Sequence, residues 1–319
     1  MSLSTAAILL GVGIALLIVG ADLLLRGAAS LAKRFSVPEI VIGLTVVAFG
    51  TSAPELAVSV VSSVQGRSDM IFGNVIGSNA FNTLMVLGAA GLIRPLVVQK
   101  NTVWKEIPFL LVATAVLLFV ANDPWWRGSA AGGVSRVESL AMLGLFALFL
   151  IYVFGISKVK AAEPEVKVYS LRFSLLLLAV GLGGLFFGGK FTVDSAVAIA
   201  RAADVSEKFI ATVIVAVGTS LPELATSAVA AYKGRFGMAV GNSVGSSLFN
   251  FLLVLPVAGL IRPVAYNAAF NVDMMVLLGG TVLLFATMFT GRRRRLDRWE
   301  AALMIAAYGG YLAYLVYLR

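Results

Sequence analysis

Long apolar runs separated by short polar turns fill the chain, and their length sets the first expectation. A hydrocarbon core takes about 20 apolar residues per helix. On that rule ten membrane spans are expected, near 6–25, 37–64, 70–93, 104–121, 137–157, 173–200, 206–231, 238–261, 270–290 and 299–318. The runs near 104–121 and 270–290 carry almost no polar side chains. The first run follows Met1-Ser2-Leu3-Ser4-Thr5 without a basic leader, and no clear cleavage site precedes Arg26, so it reads as a retained span rather than a signal peptide.

Polar residues interrupt these runs twice in the same way. Gly50-Thr51-Ser52-Ala53-Pro54-Glu55 returns 168 positions later as Gly218-Thr219-Ser220-Leu221-Pro222-Glu223. Behind each copy stands a second shared peptide, Gly73-Asn74-Val75-Ile76-Gly77-Ser78-Asn79-Ala80-Phe81-Asn82 and Gly241-Asn242-Ser243-Val244-Gly245-Ser246-Ser247-Leu248-Phe249-Asn250. The same offset aligns Gly66-Arg67 with Gly234-Arg235 and Gly91-Leu92-Ile93-Arg94-Pro95 with Gly259-Leu260-Ile261-Arg262-Pro263, with no gap. Two related halves are therefore expected, residues 1–157 and 173–319, joined by a short hydrophilic linker at 158–172.

Charge adds direction. Loops after odd-numbered spans hold 17 Lys and Arg, among them Arg26, Lys105, Arg172 and Arg292 to Arg295. The remaining loops and the C-terminus hold 7, and Lys190 falls inside the sixth span. Positive charge collects on the cytoplasmic side, which would put both termini outside. Five spans per half then make the second half enter the membrane inverted. The expected fold is an all-α integral membrane protein with ten transmembrane helices in two inverted five-helix repeats, in the cell (inner) membrane.

Composition narrows the chemistry. The chain is 60% hydrophobic and 13% charged, with neither Cys nor His. That removes disulfides, thiolate nucleophiles, the usual imidazole base and the usual soft-metal ligands. No paired intramembrane Asp replaces them, so an intramembrane enzyme is not expected. The net charge of +9 lies between apolar runs and reads as membrane orientation rather than nucleic-acid binding. The expected partners are ions and the lipid bilayer, with no cofactor and no obligatory protein partner evident.

A carboxylate inside a span is costly and usually functional. Pro54 and Pro222 lack an N–H and crowd the carbonyls at Gly50 and Gly218, so each helix should kink or open there. Freed carbonyls, the hydroxyls of Thr51, Ser52, Thr219 and Ser220, and the carboxylates of Glu55 and Glu223 would then converge. Ser78 and Asn82 share a helix face, as do Ser246 and Asn250. All are hard oxygen donors suited to Na⁺, Ca²⁺ or Mg²⁺. Glu55 and Glu223 together carry the charge that one Ca²⁺ neutralises, and several Na⁺ sharing the same oxygens would give exchange. Asn74 and Asn242 read as interhelical hydrogen-bonders. Asp22, Asp194 and Lys190 read as structural or gating residues.

These peptides, present in both halves, resemble the two alpha repeats of the sodium/calcium exchanger family within the cation/Ca²⁺ antiporter superfamily, in a prokaryotic-type member. The resemblance runs through the chain, with repeat motifs at 43–95 and 211–263. It implies a secondary antiporter that exchanges Na⁺ for Ca²⁺ by alternating access. It makes Glu55 and Glu223 central ligands, flanked by Thr51, Ser52, Thr219 and Ser220. Ala48 and Ala216 would lend backbone carbonyls, and Ser78, Ser246, Asn82 and Asn250 would complete the site. It also implies that the first and sixth helices slide past a fixed core, which the glycine-rich stretch 181–189 suits. Many relatives carry Asp where this chain has Asn250, so the resemblance argues against potassium dependence. The alternative is Ca²⁺/H⁺ exchange on the same carboxylates. A cation channel fits less well, because inverted repeats do not build a symmetric pore.

Overall fold

The computed structural model describes residues 2–122, 132–156, 167–205, 210, 214 and 216–317. The linker expected at 158–172 and the start of the span expected at 206–231 lie largely outside the described residues.

The long elements are all helices. Ser2 and Ser170 each cap a 32-residue helix, their Oγ atoms accepting the N–H of Thr5 and Phe173. These helices are α1 (Leu3–Arg34) and, later in the chain, α7 (Leu171–Ala202). At 1.5 Å per residue each runs about 48 Å, well beyond the ~30 Å of a perpendicular crossing. After α1 come α2 (Glu39–Thr51) and α3 (Ala53–Val64), a single span bent by 47°. Next are α4 (Ser68–Ile93), α5 (Thr102–Ala121) and α6 (Arg136–Ile156). Beyond α7, the single turn Ala216–Gly218 leads into α8 (Leu221–Tyr232), α9 (Phe236–Ile261), α10 (Ala268–Thr287) and α11 (Arg298–Tyr317). Eight of these helices are long and apolar enough to cross a membrane, nine with the bent pair, among the described residues.

The 168-residue offset persists in three dimensions. It carries the bounds of α1 onto α7, of α3 onto α8 and of α4 onto α9 without a shift. The centre of the molecule is α4 and α9, whose spanning windows are 72% and 78% buried against 22–33% for the other spans. Close approach of α9 to α2 rests on two glycines. A Cβ at Gly241 would lie 2.9 Å from the Ile40 carbonyl, and one at Gly245 would lie 2.8 Å from Ala48 Cβ. Their counterparts differ: Gly73 has only Phe270 within 4 Å, and Gly77 nothing, among the described residues.

The pair α1 and α7 stands beside this centre and packs antiparallel along a glycine seam. Gly13, Gly20 and Gly27, seven residues apart, face Gly188, Gly181 and Ser174 in turn. A Cβ at Gly20 would sit 2.8 Å from the Gly181 carbonyl oxygen, so the backbones touch. Small residues permit such approach where apolar burial supplies no drive between helices.

Asp22, Lys190 and Asp194 fall into a pattern. Asp22 and Arg26 form an ion pair one turn apart on α1, at 2.7 Å, and Lys190 and Asp194 form one on α7, also at 2.7 Å. These positions correspond under the offset, with the signs reversed. Asp22 also pairs with Lys233 at the end of α8, which ties α1 to the central helices. Lys190 makes no such reach among the described residues, and the position matching Lys233 is Gln65.

Two short strand pairs stitch the halves together, an element that an all-helical expectation lacks. β1 (Leu96–Val97) pairs antiparallel with β4 (Arg295–Leu296), and β2 (Gly133–Val134) with β3 (Val264–Ala265). Arginines reinforce both stitches. Arg136 donates to the carbonyls of Leu260 and Ile261 that end α9, and Arg298 to those of Leu92 and Ile93 that end α4. Each half thus caps a central helix of the other.

Candidate functional site

The break between α2 and α3 falls at Ser52, whose φ of −84° and ψ of 5° leave the helical region. Pro54 in the first turn of α3 needs no hydrogen-bond acceptor there, and its ring prevents the two segments from merging. Ser220 has nearly the same geometry, φ −93° and ψ 7°, ahead of Pro222 and α8. Each break delivers a carboxylate in the first turn of the following helix, Glu55 on α3 and Glu223 on α8. Helix N-termini favour negative charge at that place. Both glutamates are fully buried.

The two breaks meet, and the contacts cross between halves. Ser52 Oγ donates to Glu223 Oε1 at 3.2 Å, and Ser220 Oγ donates to Glu55 Oε1 at 3.1 Å. Ser78 on α4 donates to Glu55 Oε1 and Ser246 on α9 to Glu223 Oε1, both at 3.4 Å. Thr219 also faces Glu55, and Thr51 faces Glu223. The serine of each half therefore serves the carboxylate of the other, a crossing that linear spacing does not specify.

Thr51 is more heavily engaged than a free ligand. Its hydroxyl lies 3.0 Å from Asn242 Oδ1, 3.3 Å from Ser246 Oγ and 3.3 Å from the Ala48 carbonyl. That carbonyl also accepts the Ser52 N–H at 3.0 Å. The oxygen of Ala48 is thus occupied within its own helix. Ala216 opens the turn Ala216–Gly218.

Asn74 and Asn242 do bind helix to helix. Asn74 Nδ2 reaches the Glu55 carbonyl at 3.0 Å and Ser59 Oγ at 2.9 Å, while Asn242 Nδ2 reaches the Glu223 carbonyl at 3.3 Å and Ser227 Oγ at 3.0 Å. Ser59 and Ser227, absent from the expected set, lock these amides and hence the backbone that carries each glutamate.

Asn82 and Asn250 sit where α4 and α9 loosen into π-helical turns, Phe81–Val86 and Asn250–Val254. Such turns recur at functional sites, and nothing in the repeat spacing announced them. Both asparagines are fully buried, yet they are held differently. Asn79 Nδ2 donates to the Ser247 carbonyl at 3.2 Å, so its Oδ1 must be the acceptor for Asn250 Nδ2 at 3.0 Å. That chain fixes which way the Asn250 amide points and leaves Asn250 Oδ1 without a partner among the described residues. Among the same residues, neither amide atom of the Asn82 side chain has one. Asn79 carries no repeat signal, because its counterpart under the offset is Ser247.

Glu55 Oε2 and Glu223 Oε2 are likewise buried without hydrogen bonds among the described residues. An unsatisfied buried polar group costs about 1–3 kcal/mol, and a charged one more. Such a cluster of oxygens is what a desolvated hard cation requires. No group of three or more His, Cys, Asp and Glu occurs among the described residues, so any cation held here relies on neutral oxygens beside the two carboxylates.

This geometry has close counterparts. The family model described as sodium/calcium exchanger protein matches residues 5–155 and 173–317. CaxA of Alkalimonas amylolytica is 36% identical, over 96% of this chain and 97% of its own. The inner membrane protein YrbG of Escherichia coli strain K12 is 31% identical, over 100% of this chain and 98% of its own. The structure of the sodium-calcium exchanger NCX_Mj, soaked with 2.5 mM Na⁺ and 0.1 mM Ca²⁺, superposes with a TM-score of 0.82 at 33% identity and covers 99% of both chains.

Proposed function

Because the chain belongs to the sodium/calcium exchanger protein family, we propose that this multi-pass membrane protein is a secondary antiporter that exchanges Na⁺ for Ca²⁺ by alternating access. It transports ions and forms no covalent intermediate. The observation that carries this reading is the buried pair Glu55 and Glu223, each cross-bonded by the serine of the opposite half and each retaining an unpartnered oxygen.

In this reading the transported ions bind among Glu55, Glu223, Ser52, Ser220, Ser78, Ser246, Asn82 and Asn250. Thr51, Thr219 and the carbonyls at Ala48 and Ala216 border them. One Ca²⁺ balances the two carboxylates, and several Na⁺ compete for the same oxygens. Ca²⁺ takes about 6–8 oxygen ligands with flexible geometry, which a cage drawn from two helix breaks and two π-helical turns accommodates. The two ions exclude each other, and that exclusion couples their fluxes.

The topology belongs to the same proposal. Ten spans form two inverted five-helix repeats, residues 1–157 and 173–319, with the linker 158–172 inside and both termini outside. The offset shared by the bounds of α1 and α7, α3 and α8, and α4 and α9 supports the repeat. The Lys/Arg distribution supports the inversion. The glycine seam between α1 and α7, with few side chains to interlock, supports sliding of that pair along the α4–α9 centre.

Purified protein in proteoliposomes tests the reading. Ca²⁺ uptake should follow an imposed Na⁺ gradient and saturate with both ions. Uptake that follows a proton gradient and ignores Na⁺ would replace it with Ca²⁺/H⁺ exchange on the same carboxylates.

A further inference from the structure

Another buried carboxylate lies away from the paired glutamates and is not used by them. Glu106, at the end of the π-helical turn Thr102–Glu106 of α5, is 1% exposed. Its Oε1 accepts the hydroxyl of Tyr152 on α6, while Oε2 has no hydrogen-bond partner among the described residues. A charged group at this depth needs a reason. Lys105, beside it, is exposed and holds its ammonium 5.3 Å from the centre of the Tyr152 ring.

These side chains close one end of a groove of about 450 Å³ between α5 and α6. The rest of its lining is apolar, including Phe109 and Phe149, whose rings stack at 5.7 Å, and Leu148, which is 61% exposed. From Tyr152 to Leu148 and beyond, the groove follows α6 for about two turns, roughly 10 Å. Exposed Trp104 and Lys105 mark its polar end, and such residues settle at the headgroup level of a bilayer. The groove therefore runs from the interface into the hydrocarbon.

We propose that this groove binds an ethanolamine phospholipid, with the phosphate on Lys105, the primary ammonium on Glu106 and one acyl chain against Phe109, Leu148 and Phe149. The adjacent opposite charges select a zwitterionic headgroup. A glycerol headgroup offers Glu106 no cation, and a choline headgroup has no N–H to donate to Oε2. The ethanolamine ammonium supplies both, and its charge-assisted bond should favour it about tenfold or more over choline. This site is independent of the ion cage and of the transport reading.

Native mass spectrometry of the detergent-purified full chain, titrated separately with dioleoyl phosphatidylethanolamine, phosphatidylcholine and phosphatidylglycerol, tests it. The ethanolamine lipid should bind the parent protein about tenfold more tightly than either of the others. Glu106→Gln should erase the preference over phosphatidylcholine. Lys105→Gln, at an exposed side chain that cannot unfold the protein, should weaken both zwitterionic lipids. Equal or tighter binding of phosphatidylglycerol or phosphatidylcholine to the parent overturns the proposal. So does unchanged ethanolamine-lipid affinity in Lys105→Gln, whatever the folding of the Glu106 variant.

Discussion

Replacing Glu55 by Gln separates an ion ligand from a structural carboxylate, because the two roles predict opposite effects on stability. Glu55 is fully buried, accepts hydrogen bonds from Ser220 and Ser78 on Oε1, and leaves Oε2 unpartnered beside the like charge of Glu223. Gln keeps the shape and an oxygen but removes one of the two charges. At an effective dielectric of about 20, a unit charge pair at about 4 Å is worth roughly 4 kcal/mol, hence about 8 kcal/mol for a divalent ion. At about 1.4 kcal/mol per tenfold, that is some six orders of magnitude in Ca²⁺ affinity. Even half of it would take binding out of a useful range.

The ion-free protein, by contrast, loses a repulsion and a desolvated charge, so its melting temperature should hold or rise. The parent should gain stability on adding Ca²⁺, about 2.7 kcal/mol at a hundred times its Kd, and the variant should gain none. Gradient-driven Ca²⁺ uptake in proteoliposomes, alongside thermal melts with and without Ca²⁺, measures both arms. Uptake above about a tenth of the parent rate, or a parent-like stabilisation by Ca²⁺, would refute the reasoning. A melting temperature well below the parent's without ions would assign Glu55 a structural role instead.

Further substitutions test other contacts. Asn79→Ala frees the Asn250 amide to rotate at the loss of two buried hydrogen bonds of about 1 kcal/mol each; the KM for Ca²⁺ should rise about fivefold in flux assays, and the melting temperature should fall by a few degrees. Gly20→Ala puts a methyl 2.8 Å from the Gly181 carbonyl and the Leu185 N–H, an overpacking worth about 1–3 kcal/mol. It should lower both the melting temperature and the turnover rate, whereas Gly11→Ala, with nothing within 4 Å, should change neither. Lys233→Gln releases Asp22 and hence α1 from the end of α8. At about 1 kcal/mol for a partly exposed pair, turnover should change severalfold with the KM for Ca²⁺ unchanged, and Lys190→Gln, which breaks a pair within one helix, should have no such effect.

Much of this molecule was legible because its sequence repeats. Pro54 and Pro222 impose breaks by covalent geometry, and a carboxylate in a hydrocarbon-length run stands out in any reading. The constant offset then related the two parts of the chain. The bounds of α1 and α7, α3 and α8, and α4 and α9 keep that offset to the residue, although the expected span near 6–25 extends to Leu3–Arg34. What stayed hidden depends on contacts without periodicity. A two-residue strand has no alternation to detect, so the pairing of Leu96 with Leu296 was invisible. The π-helical turns at Asn82 and Asn250 arise from packing rather than from residue preference. Asn79 escaped because it breaks the repeat, and Glu106 because its partner Tyr152 is 46 residues away. The crossing of Ser52 to Glu223 needed the two breaks to meet in space, which only the folded chain shows.

The strand stitches bear on the order in which the chain can be assembled. Leu96 leaves the ribosome about 200 residues ahead of its partner Leu296, which at roughly 5–20 residues per second is a wait of about 10–40 s. Over that interval the carbonyls of Leu92 and Ile93 also lack Arg298. The first half therefore stays in the membrane with the end of its central helix uncapped until the last span is made. A nascent chain halted before residue 295 would be left in that state, exposed to the insertion machinery and to membrane proteases. Only completion of the final helix closes the first.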